Sequence, residues 1–333
     1  MRLIPFAAVS TALLLLATPL AAQDAQAHAE AGLAAAADFP GFADLCDLDM
    51  HIRDVNAPRD RSTRGHDHKG GDRKPRAEAR DPLPPMQVFD NLWFVGNRSV
   101  SAWLYGSADG YVLIDSLNTA EEAERDVLGG MEKLGLDPTA IRMILVTHAH
   151  GDHFGGATFL SEKLGVPIAM SEADWQLAER TPPHPRFGAA PERGQVVAEG
   201  QRIPTGNGTL EVMITPGHTP GTISPILPLS DGGQTHKAVL WGGAGFNFGP
   251  DAGIFRDYAE AAAMARNRAK AEGVDVVLSN HVRRDGSDRL MAELAERGPD
   301  APHPFVMGPR GLALFTVLEQ CALAQAARFD TAD

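Results

Sequence analysis

The sequence predicts an α/β fold: a four-layer αββα sandwich of two mixed β-sheets flanked by helices on their outer sides. Two observations carry this. Short β-branched and aromatic runs with hairpin spacing give way to alternating helix and strand patterns, and that order occurs twice along the chain. A buried-strand pattern, Ile141-Arg142-Met143-Ile144-Leu145-Val146, also runs directly into a histidine-rich turn, as a chemical site at a strand end requires.

Taken in order, Met1-Arg2-Leu3 and the apolar stretch Ile4 to Ala22, with Leu13-Leu14-Leu15-Leu16 at its heart, read as a secretory signal peptide over residues 1–22. The cut is expected near Ala22 or Ala25. The core is too short for a membrane span, although a retained anchor is the competing reading. The chain of 333 residues carries a formal charge of −13, and losing Arg2 with the leader makes it −13 − 1 = −14. An acidic, exported product argues against nucleic acid or stable membrane insertion and for a small-molecule substrate in the periplasm or outside the cell. Oligomeric state stays open.

Residues 23–53 form an Ala-rich N-terminal leader with helical potential, and 54–85 a polar linker or arm with almost nothing to bury. His66 and His68 in that arm lack a strand or carboxylate partner and belong to it. Cys46 and Cys321 are the chain's two cysteines. In an oxidising compartment they are expected to pair, because the ends of compact domains lie close together; two free thiols are the alternative. Two cysteines exclude a zinc site built on thiolates.

The main folded domain is placed at 86–329. Met86 to Phe89 and Leu92 to Val95 flank the hairpin turn Asp90-Asn91, and Val100 to Tyr105 and Tyr111 to Ile114 flank a second turn. Thr119 caps a helix to about Leu134, and another helix runs from Gly155-Gly156 to about Leu164. Pro167 to Met170 is a strand, Ser171 caps the next helix, and Thr181 to Gln195 is a rim loop. Short strands return over 196–228, including one from Leu210 to Thr215, and another strand ends at Leu240-Trp241. The helix Phe255 to Glu272, the strand Val274 to Leu278 and closing helices over 287–297 and 312–329 complete the pattern.

The chemistry concentrates in Thr147-His148-Ala149-His150-Gly151-Asp152-His153, where Ala149 and Gly151 leave the ligands uncrowded and Gly151 permits a tight turn. Imidazole and carboxylate suit Zn²⁺ and similar ions. His148 and His150 can point into one site and Asp152 and His153 into a second. Two strand-end histidines can complete the set: His218 in Pro216-Gly217-His218-Thr219-Pro220-Gly221, and His281 after Asn280. His184, His236 and His303 read as solvated surface.

Together these motifs resemble the metallo-β-lactamase fold superfamily over roughly residues 86 to 297. The resemblance implies two zinc ions per chain, one held by His148, His150 and His218, the other by Asp152, His153 and His281. It also implies catalysis by a water whose pKa the metal lowers to about 7, with Asp152 both ligating and orienting it. Many members carry a bridging Asp after the strand ending here at Trp241, glyoxalase II and lactonases among them. The first β-lactamase subclass has a Cys there. This chain has Gly242-Gly243-Ala244-Gly245-Phe246-Asn247, so its ligand set is most similar to the third metallo-β-lactamase subclass. Two departures stand out. Ala244 and Phe246 replace serines that help hold the substrate carboxylate, and Val282-Arg283-Arg284-Asp285-Gly286 replaces the usual His-Pro-Gly run. Arg283 or Arg284 could take over carboxylate binding, since a guanidinium forks onto a carboxylate; a solvated pair is the alternative.

The function expected is therefore an exported dinuclear zinc hydrolase opening the β-lactam amide. The rivals are a zinc hydrolase of another ester, lactone or amide, such as an acyl-homoserine lactone, and a non-catalytic zinc-binding envelope protein.

Overall fold

In the computed structural model, which describes residues 20–56 and 83–330, the chain enters through helix α1 (Leu20–Ala35) and the 3-10 turns Ala36–Asp38 and Pro40–Cys46. Strands β1 (Met86–Phe89), β2 (Leu92–Phe94), β3 (Trp103–Ser107) and β4 (Gly110–Ile114) form an antiparallel meander, turning at Asp90-Asn91 as expected. The Thr119 hydroxyl accepts the backbone N–H of Glu122 and opens α2 (Ala120–Glu122). A π-helical stretch, Ala123–Leu128, and α3 (Gly129–Lys133) carry the same helix to its expected end.

Next come β5 (Ile141–Leu145), α4 (Gly151–Phe154), α5 (Ala157–Leu164), β6 (Ile168–Ser171), α6 (Glu172–Arg180) and β7 (Gln195–Val197). Strands β1 to β7 form one sheet in sequence order, antiparallel up to β4 and parallel thereafter. The second sheet contains β8 (Arg202–Thr205), β9 (Gly208–Glu211), β10 (Ile226–Asp231) and β11 (Gln234–Trp241); α7 (Ala252–Glu272) then crosses to β12 (Val276–Ser279), which lies parallel to β11. Helices α8 (Val282–Asp285), α9 (Ser287–Ala295) and α10 (Ala313–Phe329) close the chain. The strand expected over 210–215 stops at Glu211; beyond it only Ile214 pairs, as an isolated bridge to Ile223.

Period-two alternation sorts the side chains into layers. On β4, Val112 and Ile114 join the core between the sheets, while Tyr111 and Leu113 face the helices outside. On β11, Ala238 and Leu240 point inward, and Val239 and Trp241 pack against the outer core of Phe255, Tyr258 and Phe315. The result is the αββα sandwich the sequence predicts, and the C-terminal ends of β4, β5, β11 and β12 share one edge, where ligand-binding loops of α/β sheets collect.

The N-terminal leader corrects the expected organisation. Residues 23–53 are not an appendage: Phe39, Phe42, Leu45 and Ile52 are buried in the outer core of the second sheet. Ala25, Ala29 and Gly32 line the buried face of α1, small enough to let helix approach helix. Gly32 sits where an added Cβ would come within 2.3 Å of Cys46 Sγ and 2.8 Å of Cys321 Sγ. Cys46 and Cys321 form a disulfide, fastening this segment to α10, and Gln325 Nε2 donates to the carbonyls of Leu45 and Asp47. The domain therefore draws on residues well before 86. Most of the expected signal peptide (1–19) and most of the arm at 54–85 (57–82, with His66 and His68) lie outside the described residues. Among the described residues no helix is long and apolar enough to cross a membrane.

Candidate metal centre

Five of the six predicted ligands follow a strand end, His148, His150, Asp152 and His153 after β5 and His281 after β12, whereas His218 follows the isolated bridge at Ile214. Beyond β5, Thr147 is pinned by Asp115 at the end of β4: Asp115 Oδ1 accepts the Thr147 N–H at 2.7 Å and Oδ2 accepts its hydroxyl at 2.9 Å. Asp115 has φ 62° and Leu117 φ 65°, left-handed backbone that costs a residue with a side chain and concentrates at functional turns. His150 immediately precedes α4, whose first turn carries Asp152 and His153. Gly151 is required for a reason other than a tight turn: its backbone is ordinary, but a Cβ there would meet Phe187 at 2.4 Å. Gly217, before His218, has φ 131° and no room for a side chain against Tyr258.

All six predicted ligands come together. His148 Nε2 and His150 Nδ1 each lie 3.1 Å from His218 Nε2. Tetrahedral zinc with bonds of about 2.0–2.1 Å needs its nitrogens roughly 3.3 Å apart, so this trio has the right aperture. Asp152 Oδ2 lies 3.5 Å from His153 Nε2 and 4.0 Å from His281 Nε2, and the ligand atoms within each trio fall within 4.8 Å of one another. The rings of His148 and His153, 4.1 Å apart, set the trios side by side.

The outer nitrogen of every ring is engaged. His148 Nδ1 meets the Thr147 hydroxyl at 3.1 Å. His150 Nε2 donates to Asn56 Oδ1 at 3.1 Å, His153 Nδ1 to Asp115 Oδ2 at 2.7 Å, His218 Nδ1 to the Gly245 carbonyl at 2.7 Å, and His281 Nδ1 to the Ser99 carbonyl at 2.7 Å. Where the partner can only accept, the outer nitrogen carries the hydrogen and the inner one turns a lone pair toward the pocket. The inner nitrogen of His153 is buried without any hydrogen-bond partner. Buried ring nitrogens normally have one; a cation shared with Asp152 and His281 would supply it. The donor set thus fits a pair of zinc-like ions.

Electrostatics agree. Burial pushes His148, His218 and His281 down, with neighbouring imidazoles adding to it, and takes His150 to about 4. Burial also opposes a charge on His153, but Asp152 and Asp115 outweigh it and raise that ring. Burial would raise Asp152, yet His153, His281 and His150 hold its carboxyl well below the usual range. Four imidazoles held neutral beside an ionised carboxylate suit metal binding, and His153 would give up its proton to an ion that takes its place.

Below the ligands, Asp174 joins two loops. Its Oδ2 accepts the Ala149 N–H at 2.7 Å and the Thr219 hydroxyl at 2.8 Å, and its Oδ1 accepts the Gly221 N–H at 2.8 Å. Burial raises its carboxyl to about 6 despite those donors. Asp115, Asp174, Asn56 and Ser99 all escape the sequence reading. Asp115 shows only as an acidic strand end and Asp174 as a residue near a helix cap; the other two act from distant loops, one through a backbone carbonyl.

The pocket above the ligands, about 570 Å³, is lined by Arg283 and Arg284, as expected, and also by Arg98. Arg284 is otherwise engaged: it donates to the Gly41 carbonyl at 2.6 Å, pairs with Asp44 and lies over the Phe42 ring. Ala244 and Phe246 are buried on the same pocket wall and offer no polar atom. The expected surface histidines are corrected. His303 is buried, stacked on Phe89 and bonded to the Val88 carbonyl, because the segment after α9 folds back under β1. His236 pairs with Asp275 at 2.6 Å, and His184 accepts the Arg186 N–H and stacks on Phe187.

Residues 95–231 match the family model of the metallo-beta-lactamase superfamily. Among curated proteins, the chain is 32% identical over 140 residues to a hydroxyacylglutathione hydrolase of Acidiphilium cryptum, covering 42% of this chain and 45% of that protein. It is 33% identical over 132 residues to the hydroxyacylglutathione hydrolase GloC of Haemophilus influenzae, covering 37% and 60%. The chain thus spans less than two thirds of these relatives. Among solved structures it is similar to BJP-1, a subclass B3 metallo-beta-lactamase of Bradyrhizobium japonicum, with TM-score 0.59 and 26% identity over 72% of this chain and 91% of that one. Native FEZ-1 metallo-beta-lactamase of Legionella gormanii superposes with TM-score 0.60 at 20% identity, covering 71% and 92%.

Proposed function

From a chain that carries a metallo-β-lactamase superfamily domain, we propose an exported, dinuclear zinc hydrolase that opens the β-lactam amide. The observation that carries the metal chemistry is the inward-facing, unpartnered Nε2 of His153 within a second ligand trio beside the first. The β-lactam reading is supported by a ligand set without a carboxylate between Gly242 and Asn247, and by likeness to subclass B3 structures along most of their length. Export is supported by the Cys46–Cys321 pairing, since such bonds persist in oxidising compartments.

When bound, the zinc ions would supply a Lewis acid and an ionised water at neutral pH. The chain's own residues supply the geometry. His148, His150 and His218 would hold one ion, and Asp152, His153 and His281 the other. Asp152 remains ionised and partly open to the pocket, so besides ligating it would accept a hydrogen bond from a water there and fix its direction. The apolar Ala244 and Phe246 keep that pocket wall dry around the reacting carbonyl.

The curated relatives favour a second reading, thioester hydrolysis of the hydroxyacylglutathione type. The missing bridging carboxylate counts against it. One assay separates the two: zinc-loaded protein is given nitrocefin and S-lactoylglutathione, with and without chelator, against His148→Ala. Turnover of nitrocefin that chelator abolishes supports the lactamase, and turnover of the thioester alone transfers the assignment. Hydrolysis of neither, at full zinc content, ends both.

A further inference from the structure

Behind the second ligand trio, Glu122 at the end of α2 is buried and gathers donors from two separate turns. Its Oε2 accepts Asn118 Nδ2 at 2.6 Å and Asn97 Nδ2 at 3.1 Å, with the Asn118 N–H further off at 3.4 Å. The chain directly after it is π-helical from Ala123 to Leu128, a departure from α geometry that recurs at functional sites.

Each of those turns supports one histidine of the trio. Asn97 closes its own turn, its Oδ1 accepting the N–H groups of Ser99 at 2.9 Å and Val100 at 3.1 Å. From that turn the Ser99 carbonyl takes His281 Nδ1 at 2.7 Å, and the Ser101 N–H bonds the Asn280 carbonyl at 2.9 Å. Asn118 follows the left-handed residues Asp115 and Leu117. In that stretch Asp115 accepts from His153 Nδ1, while Ser116 donates both its N–H and its hydroxyl to the His153 carbonyl at 2.8 Å. The Asn118 carbonyl also backs Gly155, at the end of α4, so closely that a Cβ there would come within 2.0 Å of it. The rings of His153 and His281 stand at 90° with centroids 5.0 Å apart, so the separation of the two turns sets the opening between these ligands. The same junction reaches the pocket rim, because Arg186 Nη2 donates to Asn118 Oδ1 at 2.6 Å.

We propose that Glu122 is a positioning residue for the second metal ion. By holding the Asn97 and Asn118 turns together through one oxygen, it fixes the distance between His153 and His281 while touching neither ion nor substrate. Partners that orient a ligand from behind contribute to metal affinity, and a buried amide stripped of its acceptor gives up the geometry it was holding. The proposal rests on the two-trio reading of the metal centre and adds the residue that sets the opening of one trio.

The test is zinc competition against a chromophoric chelator, run on the full chain and paired with urea denaturation of the metal-free protein. Glu122→Met keeps the length of the side chain and removes the acceptor. Its first ion should bind within about threefold of wild type and its second about tenfold more weakly. Glu122→Gln retains an acceptor oxygen and should recover most of that loss. Asn97→Asp approaches the same bond from the other side: it keeps the acceptor that closes its own turn, loses the donor to Glu122, and should weaken the second ion alone. It decides the matter if Glu122→Met does not fold. Second-ion affinity within about twofold of wild type in these variants overturns the proposal, as does an equal weakening of both ions alongside a lowered urea midpoint, which would make Glu122 a packing residue. A wild type that takes up one ion only overturns the second trio's metal reading and the proposal together.

Discussion

Asp115 Oδ2 lies 2.7 Å from His153 Nδ1, both groups buried, so the carboxylate at the end of β4 fixes the tautomer and tilt of a ligand it does not precede in any local motif. The same oxygen takes the Thr147 hydroxyl and its partner oxygen takes the Thr147 N–H, locking the whole ligand turn to the neighbouring strand. A carboxylate behind a ligating imidazole typically contributes 10- to 100-fold in metal affinity.

Asp115→Asn should therefore weaken the Asp152, His153 and His281 site about 10- to 100-fold and leave the other trio nearer wild type. Zinc content after dialysis against a weak chelator should drop from two toward one per chain. Two ions retained with wild-type affinity would show that Asp115 only shapes the turn.

Asp174 makes a parallel case one layer deeper, because it ties Ala149, between two ligands, to Thr219 and Gly221, which follow a third. Asn in its place turns an N–H₂ toward a donor it cannot satisfy, at a cost of about 1–3 kcal/mol. Asp174→Asn is expected to lower the denaturation midpoint accordingly and to cut zinc affinity at the His148, His150 and His218 site. A stability loss with unchanged zinc affinity would make it a packing residue only.

How much of this was legible beforehand follows from distance along the chain. The ligands are readable because four of them crowd into six positions after a strand, because His281 follows β12, and because His218 sits in a Pro/Gly turn after an apolar, strand-like run. The layers were readable from period-two burial on strands such as β4 and β11. Asp115 and Asp174 were hidden because an acidic residue at a strand end or helix start looks the same whether it faces solvent or accepts three hydrogen bonds. The leader's place in the core is hidden in sequence because its residues are small: Ala25, Ala29 and Gly32 gain meaning only against α10. Burial of His303 likewise depends on the return of a distant segment over Phe89.

The disulfide spans a sequence separation of 275 residues, so the chain-entropy argument gives it roughly 5–6 kcal/mol before any strain. Its local effect is equally specific, since Cys46 ends the turn whose Gly41 and Asp44 hold Arg284 at the pocket rim. Cys46→Ser with Cys321→Ser should lower stability by several kcal/mol and raise KM more than it lowers kcat, measured by urea denaturation and steady-state kinetics below the new midpoint. Equal urea midpoints for the double variant and the oxidised wild type would refute it.

Asp285 gives the pH prediction. It is buried under β12, accepting the N–H of Ser279 at 2.5 Å and of Ser287 at 2.9 Å, and burial nevertheless raises its carboxyl to about 7 from an ordinary value near 4. Between those values the folded state holds a proton that the unfolded state has lost. Its contribution to stability is therefore complete below pH ~4 and disappears as pH rises through about 7. For a single group titrating at 7, the change from pH 6 to pH 8 is about 1.4 kcal/mol, with stability lower at pH 8. Histidines and Asp174 add their own slopes, so the difference between wild type and Asp285→Asn isolates the effect. Urea midpoints of the two proteins at pH 6 and 8 should converge by about that amount as pH rises; parallel curves would mean that Asp285 is already ionised in the folded protein at pH 6.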